Sequence, residues 1–242
     1  MKFNVNAIVK SRDVQSNGYI RFPHLVRIFQ NSAFKHSDYL GLTQDILLKN
    51  RLAWVLYSMY VKVYNYPKLN DNLSITTWVD SKQKILIKRD YQVTNNNTPI
   101  LDATSSWVLF NLDKRQAMFI PDNIYYIYEP EYENILSKEE NKLPFYNNIN
   151  YNYYYEFTIR HMDLDSNDHV NNITYIDFIY TAVYRMLKKP VYIKTLNIIY
   201  KKEITLDVEK VNIQLNNDSE QFNFKIVNDN NLYSYGFLQL YK

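Results

Sequence analysis

The feature that most constrains this chain is an internal repeat, in which one helix is followed by a run of strands and the whole arrangement occurs twice. Segment 13–17 (DVQSN) resembles segment 163–167 (DLDSN) at an offset of 150 positions. At the same offset, apolar residues at helical spacing predict two helices, from about Phe22 to Tyr39 and from about Asn172 to Leu187. A repeated helix-plus-strands unit predicts an α+β chain built from two similar halves.

The strands are predicted from runs of β-branched and aromatic residues that follow each helix. They cover 2–10, 57–66, 73–79, 85–93 and 101–112 in the first half, and 192–200, 208–215, 222–227 and 233–240 in the second. Tyr64 aligns with Tyr200 at an offset of 136, so the first half is expected to carry an insertion near 41–51. The pattern of each half therefore predicts an antiparallel sheet wrapped around one long helix.

The segment between the two halves is charged, rich in Asn and contains two prolines. This composition is typical of a linker that crosses the surface. We expect an N-terminal domain at 1–128, a linker at 129–150 and a C-terminal domain at 151–242.

Composition excludes several classes of protein. The chain has 242 residues, no Cys and only 3 Gly, so disulfides, thiolate metal sites, cysteine nucleophiles and glycine-rich nucleotide loops are not expected. The net charge of +3 comes without a basic run or a recognised motif, so nucleic acid is not an expected partner. No signal peptide and no apolar run of membrane-spanning length is found, which predicts a cytoplasmic protein.

The densest polar cluster, 163–172 (DLDSNDHVNN), lies just before the second predicted helix. It could be a plain helix-entry loop in which Asn171 or Asn172 is the N-cap. Its first positions match a calcium loop, but the glycine and the bidentate Glu of such loops are missing. A transition metal would have only His169 as an imidazole ligand, without a partner at ligand spacing.

A catalytic interpretation of this cluster rests on Asp165, Asn167 and His169, which are spaced i, i+2, i+4. In a turning loop these side chains can converge, and the start of a helix favours developing negative charge. A carboxylate, an amide and an imidazole are what activation of water at an acyl carbonyl needs. The first half carries Gln15, Asn17 and Tyr19 at the matching places, so it has lost the acid and the imidazole.

A further carboxylate, Glu203, follows Tyr200-Lys201-Lys202 at the end of the next predicted strand. Taken alone, it could be a solvated residue paired with Lys201 or Lys202. Its counterpart at the offset of 136 is Pro67, which cannot act as a base. The asymmetry between an active second half and an inactive first half therefore occurs twice.

Six motifs, in order along nearly the whole chain, resemble those of the acyl-acyl carrier protein (ACP) thioesterase family. They are KNRLAWVL (49–56), YP with ITTWV (66–67 and 75–79), KRDY (88–91), ATSSWV with R…IP (103–108 and 115–121), DLDSNDHVNNITY (163–175) and YKKE (200–203). The resemblance implies a tandem, or double, hot-dog fold. It also implies hydrolysis of the thioester that joins a fatty acyl chain to the phosphopantetheine arm of ACP.

Carried over by motif, the resemblance makes Asp165, Asn167, His169 and Glu203 the catalytic residues. The family often has Cys after this Glu, but Ile204 stands here, so attack by a thiol is impossible in this chain. Activated water or a carboxylate nucleophile must act instead, and the sequence does not choose between Asp165 and Glu203. No cofactor and no metal is required.

The resemblance also bears on the substrate and the partner. We expect the first half to supply an acyl-chain pocket with 51–63 in its wall, and substrate contacts at Trp54, Asn171 and Asn172. ACP is acidic, so the lysines near the site are expected to attract it. These lysines are Lys188, Lys189, Lys201 and Lys202.

Alternative functions on the same fold are a non-catalytic acyl-binding or ACP-binding protein, an acyl-CoA thioesterase and a hydroxyacyl dehydratase. Because the repeat could mimic a hot-dog dimer within one chain, both a monomer and a homodimer are compatible with the sequence. Chain-length preference depends on pocket depth, which the sequence does not give.

Overall fold

The same strand order occurs in both halves of the chain. The structure, a computed structural model, describes residues 1–137, 149–165, 167–218, 221–229 and 231–241. It divides into two compact units, one of residues 1–20 and 27–141 and the other of residues 21–26 and 142–242.

The first half of the chain forms an antiparallel sheet with the strand order β1-β3-β4-β5-β2, and β6 is added to β5. Its strands are β1 (Phe3–Ile8), β2 (Leu52–Val63), β3 (Asn72–Lys82), β4 (Leu86–Asn95), β5 (Thr98–Asn111) and β6 (Gln116–Ala117). Its helices are α1 (Phe22–Tyr39), α2 (Gln44–Lys49) and α3 (Asp122–Tyr125).

The second half repeats this order as β8-β11-β10-β9-β7. Its elements are β7 (Tyr153–Thr158), α4 (Asn172–Leu187), β8 (Ile193–Tyr200), β9 (Lys210–Asp218), β10 (Gln221–Asn228) and β11 (Asn231–Leu240). Since every neighbouring pair in these two strand orders is antiparallel, the α+β prediction is confirmed for each half.

Each long helix packs an aromatic side chain against its own sheet. In the first unit the ring of Phe29 on α1 lies 4.9 Å from that of Tyr91 on β4, measured between centroids. In the second unit Phe178 on α4 lies 5.0 Å from Phe157 on β7. These contacts bury the apolar stripe that the helical spacing predicted, and both predicted helices are confirmed.

Four elements escaped the sequence-based prediction for physical reasons, and one of them, β6, is only two residues long. β7 is an edge strand whose side chains are half exposed, so its apolar signal is weak. Its range is nevertheless that of β1 shifted by the repeat offset of 150. The short helices α2 and α3 are too brief for a helical period to show. α2 lies inside the predicted insertion at 41–51 and buries Leu47 in a small core cluster.

Part of the predicted linker is attached to the first sheet. The backbone N–H of Glu131 donates to the carbonyl of Val79 at 2.9 Å, and Leu136 is buried. Residues 138–148 of this segment lie outside the described residues. The division between the units falls between residues 141 and 142, and the boundaries at 128 and 151 stay predictions. Among the described residues, no helix combines the length and the apolar character needed to cross a membrane.

Candidate active site

The polar cluster before α4 is a tight turn held at both ends. The N–H of Asp165 donates to the carbonyl of His169 at 2.7 Å, and Leu164 pairs with Val170 in an isolated antiparallel bridge. Asp168 takes up the left-handed backbone conformation, with φ of 59°. The neighbouring Ser166 lies outside the described residues. The turn therefore places Asp165 and residues 167 to 169 close to the start of the helix.

The Asp165 carboxylate organises this turn from within. Its Oδ1 accepts hydrogen bonds from the backbone N–H groups of Asn167, at 2.8 Å, and of His169, at 3.3 Å. The Asp165 side chain thus binds the backbone of the other two residues, and convergence of the three side chains stays a prediction. An oxygen that already accepts two N–H groups is a weaker nucleophile than a free carboxylate.

His169 and Glu203 face each other across the loop. His169 Nε2 lies 3.5 Å from Glu203 Oε2, and their side chains are 24% and 45% exposed. A backbone hydrogen bond of 2.9 Å from Val170 N–H to the carbonyl of Ile204 joins the two segments. Among the described residues, Glu203 pairs with His169 rather than with Lys201 or Lys202. The pair is accessible from solvent, as a site for an external substrate must be.

The assignment of Pro67 as the counterpart of Glu203 is wrong by one residue. In the first unit the N–H of Ile20 donates to the carbonyl of Pro67, as that of Val170 donates to the carbonyl of Ile204. The hydrogen-bonding pattern therefore equates Pro67 with Ile204 and Tyr66 with Glu203, at an offset of 137. Tyr66 is not a carboxylate, so the asymmetry between the halves remains.

The two asparagines predicted to contact substrate have structural partners at the start of α4. Asn171 is the N-cap, and its Oδ1 accepts from the N–H of Ile173 at 2.9 Å. The N–H of Asn171 donates to the carbonyl of Asp163, also at 2.9 Å. No described residue accepts a hydrogen bond from the N–H of Asn172. The N–H of Asn172 is therefore a candidate donor to a ligand oxygen at the start of α4.

Trp54, the third predicted substrate contact, lines a partly open cavity in the first unit. The cavity is mostly apolar, and its other lining residues are Ala33, Phe34, Ser37, Ile87, Arg89, Trp107 and Tyr128. Of the predicted wall segment 51–63, only Trp54 lines it. The other lining residues were missed because they come from α1, β4, β5 and the segment after α3, and no local pattern joins them.

Arg89 is a buried cation in the wall of this cavity. Its guanidinium donates to Nδ1 of His36 at 2.9 Å and to Oγ1 of Thr77 at 3.3 Å. Burial, and then the Arg89 charge, lower the pKa of His36 to about 3, so the imidazole is neutral and can accept this hydrogen bond. His36 and Arg89 thus form a fixed pair at neutral pH.

The neighbouring residue Asp90 makes the stability of the first unit depend on pH. Burial raises the pKa of Asp90 to about 6, although its Oδ2 accepts from the N–H of Ile135 at 2.9 Å. Because the unfolded carboxyl titrates near pH ~4, the free energy of unfolding should fall by up to about 3 kcal/mol as pH rises from about 4 to about 6. Asp90→Asn should remove this fall.

Urea unfolding of both proteins at several values of pH checks this prediction. The wild-type protein should lose stability relative to Asp90→Asn as pH rises through this window. The exposed Asp45→Asn is the control, and its stability difference from wild type should stay constant. A constant difference for Asp90→Asn as well would contradict the prediction.

Tyr175 on α4 is a residue of the site that sequence reasoning missed. Its hydroxyl donates to the carbonyl of Lys202 at 3.2 Å and accepts from the N–H of Ile204 at 3.0 Å. The available signal was its position as the last residue of the motif at 163–175.

Among the described residues, no group of three or more His, Asp or Glu side chains is arranged to hold a metal ion.

Comparison with known proteins covers both halves of the chain. Residues 1–128 match the family model of the acyl-ACP thioesterase N-terminal domain, and residues 146–236 match that of the C-terminal domain. Oleoyl-acyl carrier protein thioesterase 1, chloroplastic, of Arabidopsis thaliana is 26% identical over 223 residues, which are 86% of this chain and 62% of the relative. Palmitoyl-acyl carrier protein thioesterase, chloroplastic, of Cuphea hookeriana is 29% identical over 189 residues, 73% of this chain and 46% of the relative.

Solved structures share the fold over nearly the full chain. The 12:0-ACP thioesterase of Umbellularia californica has a TM-score of 0.88 and 21% identity, with 99% of this chain and 97% of that chain covered. An acyl-ACP thioesterase of Bacteroides thetaiotaomicron has a TM-score of 0.83 and 20% identity, with coverage of 99% and 98%. The double hot-dog prediction is confirmed by these likenesses. The chain spans 62% or less of the length of each of the two plant relatives.

Proposed function

The chain belongs to the acyl-ACP thioesterase family, and on that premise we propose that it hydrolyses the thioester of fatty acyl-ACP, releasing a free fatty acid and holo-ACP. The observation that carries the proposal is the solvent-accessible pair of His169 and Glu203 at the start of α4. A protein that only binds acyl groups has no need of an imidazole facing a carboxylate.

In the proposed reaction Glu203 is the general base. It takes a proton from a water molecule, whose oxygen attacks the thioester carbon and forms a tetrahedral intermediate. His169 orients the water and the thioester, and the oxyanion accepts a hydrogen bond from the N–H of Asn172. When the intermediate collapses, the carbon–sulfur bond breaks and the phosphopantetheine sulfur leaves as a thiol with the proton from Glu203. Asp165 holds the turn through its two backbone hydrogen bonds.

For the acyl chain we propose the cavity of the first unit. Its lining is mostly apolar, with the rings of Phe34, Trp54 and Trp107 among the lining residues. Burial of methylene groups there would supply binding free energy of about 0.8 kcal/mol for each group. For ACP we propose electrostatic attraction to Lys188, Lys189, Lys201 and Lys202, all of which are exposed.

The experiment that tests the proposal is release of free thiol from a panel of acyl-ACP substrates of increasing chain length. We expect hydrolysis of a subset of chain lengths, and its loss in His169→Ala. The same acyl groups on coenzyme A, assayed in parallel, separate an ACP thioesterase from a CoA thioesterase. Binding of acyl-ACP by the folded protein without thiol release would contradict the proposal and favour a non-catalytic binding protein.

A second prediction concerns the length of the acyl chain. Ala33 on α1 is buried and lines the cavity, so Ala33→Leu should fill part of it. We expect the preferred acyl chain to become shorter by about two carbons, with kcat/KM for the original best substrate lowered about tenfold, because a methylene that no longer fits is worth about 1–3 kcal/mol.

The same acyl-ACP panel measures this change. The matched control is Ala117→Leu, which adds the same side chain at an exposed position of the same unit. An unchanged chain-length profile in a folded Ala33→Leu protein would place the acyl chain elsewhere.

A cytoplasmic location stays a prediction, and the plant relatives are named as chloroplastic proteins. Monomer and homodimer remain equally compatible with the proposed activity.

A further inference from the structure

Glu203 lies on a short irregular segment that needs an external anchor. β8 ends at Tyr200, and residues 201–204 belong to neither a helix nor a strand. The Glu203 side chain is 45% exposed, and its ion-pair partner among the described residues is His169, at 3.5 Å. A general base must be held within hydrogen-bond reach of the proton that it abstracts, so the backbone around Glu203 has to be fixed by other groups.

The hydroxyl of Tyr175 fixes this backbone on both sides of Glu203. It donates to the carbonyl of Lys202 at 3.2 Å and accepts from the N–H of Ile204 at 3.0 Å. Tyr175 itself is buried on α4, with its ring 5.3 Å from that of Tyr200. Burial raises the pKa of Tyr175, so the hydroxyl keeps the proton that it donates to Lys202.

The first half of the chain is an internal control for this contact. At the position of Tyr175 it has Leu25, and at the position of Ile204 it has Pro67, which has no N–H to donate. Its loop is nevertheless joined to the strand end by the bond from Ile20 N–H to the carbonyl of Pro67, at 3.0 Å. The fold thus forms without the hydroxyl, and the hydroxyl occurs in the half that carries His169 and Glu203.

We propose that Tyr175 is a positioning residue, whose hydroxyl holds residues 202 to 204 so that the Glu203 carboxylate faces His169 and the attacking water. This inference rests on the proposed hydrolysis, and it adds a specific role for a residue that does not itself touch the reacting atoms.

The test compares Tyr175→Phe with Tyr154→Phe. Tyr154 is the control because its hydroxyl donates to the carbonyl of Tyr151 at 2.6 Å in the same unit, and its strand β7 pairs with β9 rather than with β8. Each variant loses one tyrosine hydroxyl that donates to a backbone carbonyl, and kcat is compared per folded molecule. For Tyr175→Phe we expect kcat on acyl-ACP to fall about tenfold to a hundredfold at nearly constant KM. For Tyr154→Phe we expect kcat within about twofold of wild type.

A spectroscopic readout makes the test independent of turnover. With ¹⁵N-labelled histidine, the Nε2 signal of His169, assigned by its loss in His169→Ala, should change in Glu203→Gln. Tyr175→Phe should move the signal in the same direction, and Tyr154→Phe should leave it at the wild-type position. If wild type hydrolyses no acyl-ACP, the proposed function fails, and this signal still decides whether Tyr175 positions Glu203. Equal kcat for both Phe variants, or a wild-type signal in Tyr175→Phe, would overturn the inference.

Discussion

Replacement of Glu203 by Gln is expected to lower kcat for acyl-ACP hydrolysis by about a thousandfold, because the amide keeps the shape of the side chain but cannot take a proton from water. Binding of the acyl chain and of ACP does not involve this carboxylate in the proposed arrangement. KM should therefore stay within about twofold of wild type. Steady-state thiol release from one well-hydrolysed acyl-ACP, followed over a series of substrate concentrations, measures both quantities.

The control for this prediction is Glu209→Gln, which makes the same chemical change at an exposed position of the same unit. It should leave kcat unchanged. Glu203→Gln should unfold with the same Tm as wild type, because the Glu203 side chain is nearly half exposed. Turnover of Glu203→Gln near the wild-type rate would remove Glu203 as the base and leave Asp165 as the remaining candidate. Asp165→Asn would then be the variant to assay.

The two long helices could be predicted because their apolar residues recur at helical spacing over four or more turns. β7 could have been found from the repeat, since Phe3–Ile8 shifted by 150 positions gives its range, although its own sequence of three consecutive tyrosines has no clear alternation. α2 could not, because six residues in an insertion carry no period. The repeated elements of the fold can therefore be predicted from the internal repeat and from periodicity. The elements outside the repeat cannot be predicted in this way.

The candidate catalytic segment could be predicted from its density of polar residues before a helix, but the residues of the next strand that it pairs with could not be predicted exactly. Alignment of Tyr64 with Tyr200 gives an offset of 136. The structure instead equates Tyr64 with Lys201, because the N–H groups of Tyr64 and Lys201 donate to equivalent carbonyls, those of Ile100 and Tyr233. Such a one-residue difference depends on hydrogen bonds between distant strands, which the sequence does not display.

Replacement of Gly236 by Ala is expected to lower the stability of the protein more than the same replacement at either of the other two glycines. Gly236 lies in β11, where it pairs with Ile198 of β8 and with Phe224 of β10. A Cβ built on Gly236 would overlap the backbone carbonyl oxygen of Asn197 and would lie 2.7 Å from Cζ of the buried Phe224. A backbone oxygen within a sheet cannot move away without breaking the pairing of its strand.

We therefore expect Gly236→Ala to lower the free energy of unfolding by more than about 3 kcal/mol, at or above the upper end of typical overpacking costs. Urea unfolding followed by tryptophan fluorescence and circular dichroism measures the loss. Gly41→Ala is the control, because it adds the same methyl group where no atom lies within 4 Å. The φ of 79° at Gly41 should cost only about 1–2 kcal/mol there.

The clash at Gly236 also affects the proposed active site, because β8 leads directly into the Glu203 segment. The N–H groups of Lys201 and Lys202 both donate to the carbonyl of Tyr233 on β11, three residues before Gly236. If β8 and β11 are forced apart, these bonds and the orientation of Glu203 should be lost together. Gly236→Ala that remains folded at low temperature should therefore have a lower kcat per folded molecule than Gly41→Ala. A folded Gly236→Ala protein with the stability and kcat of wild type would contradict both the packing of β11 and its link to Glu203.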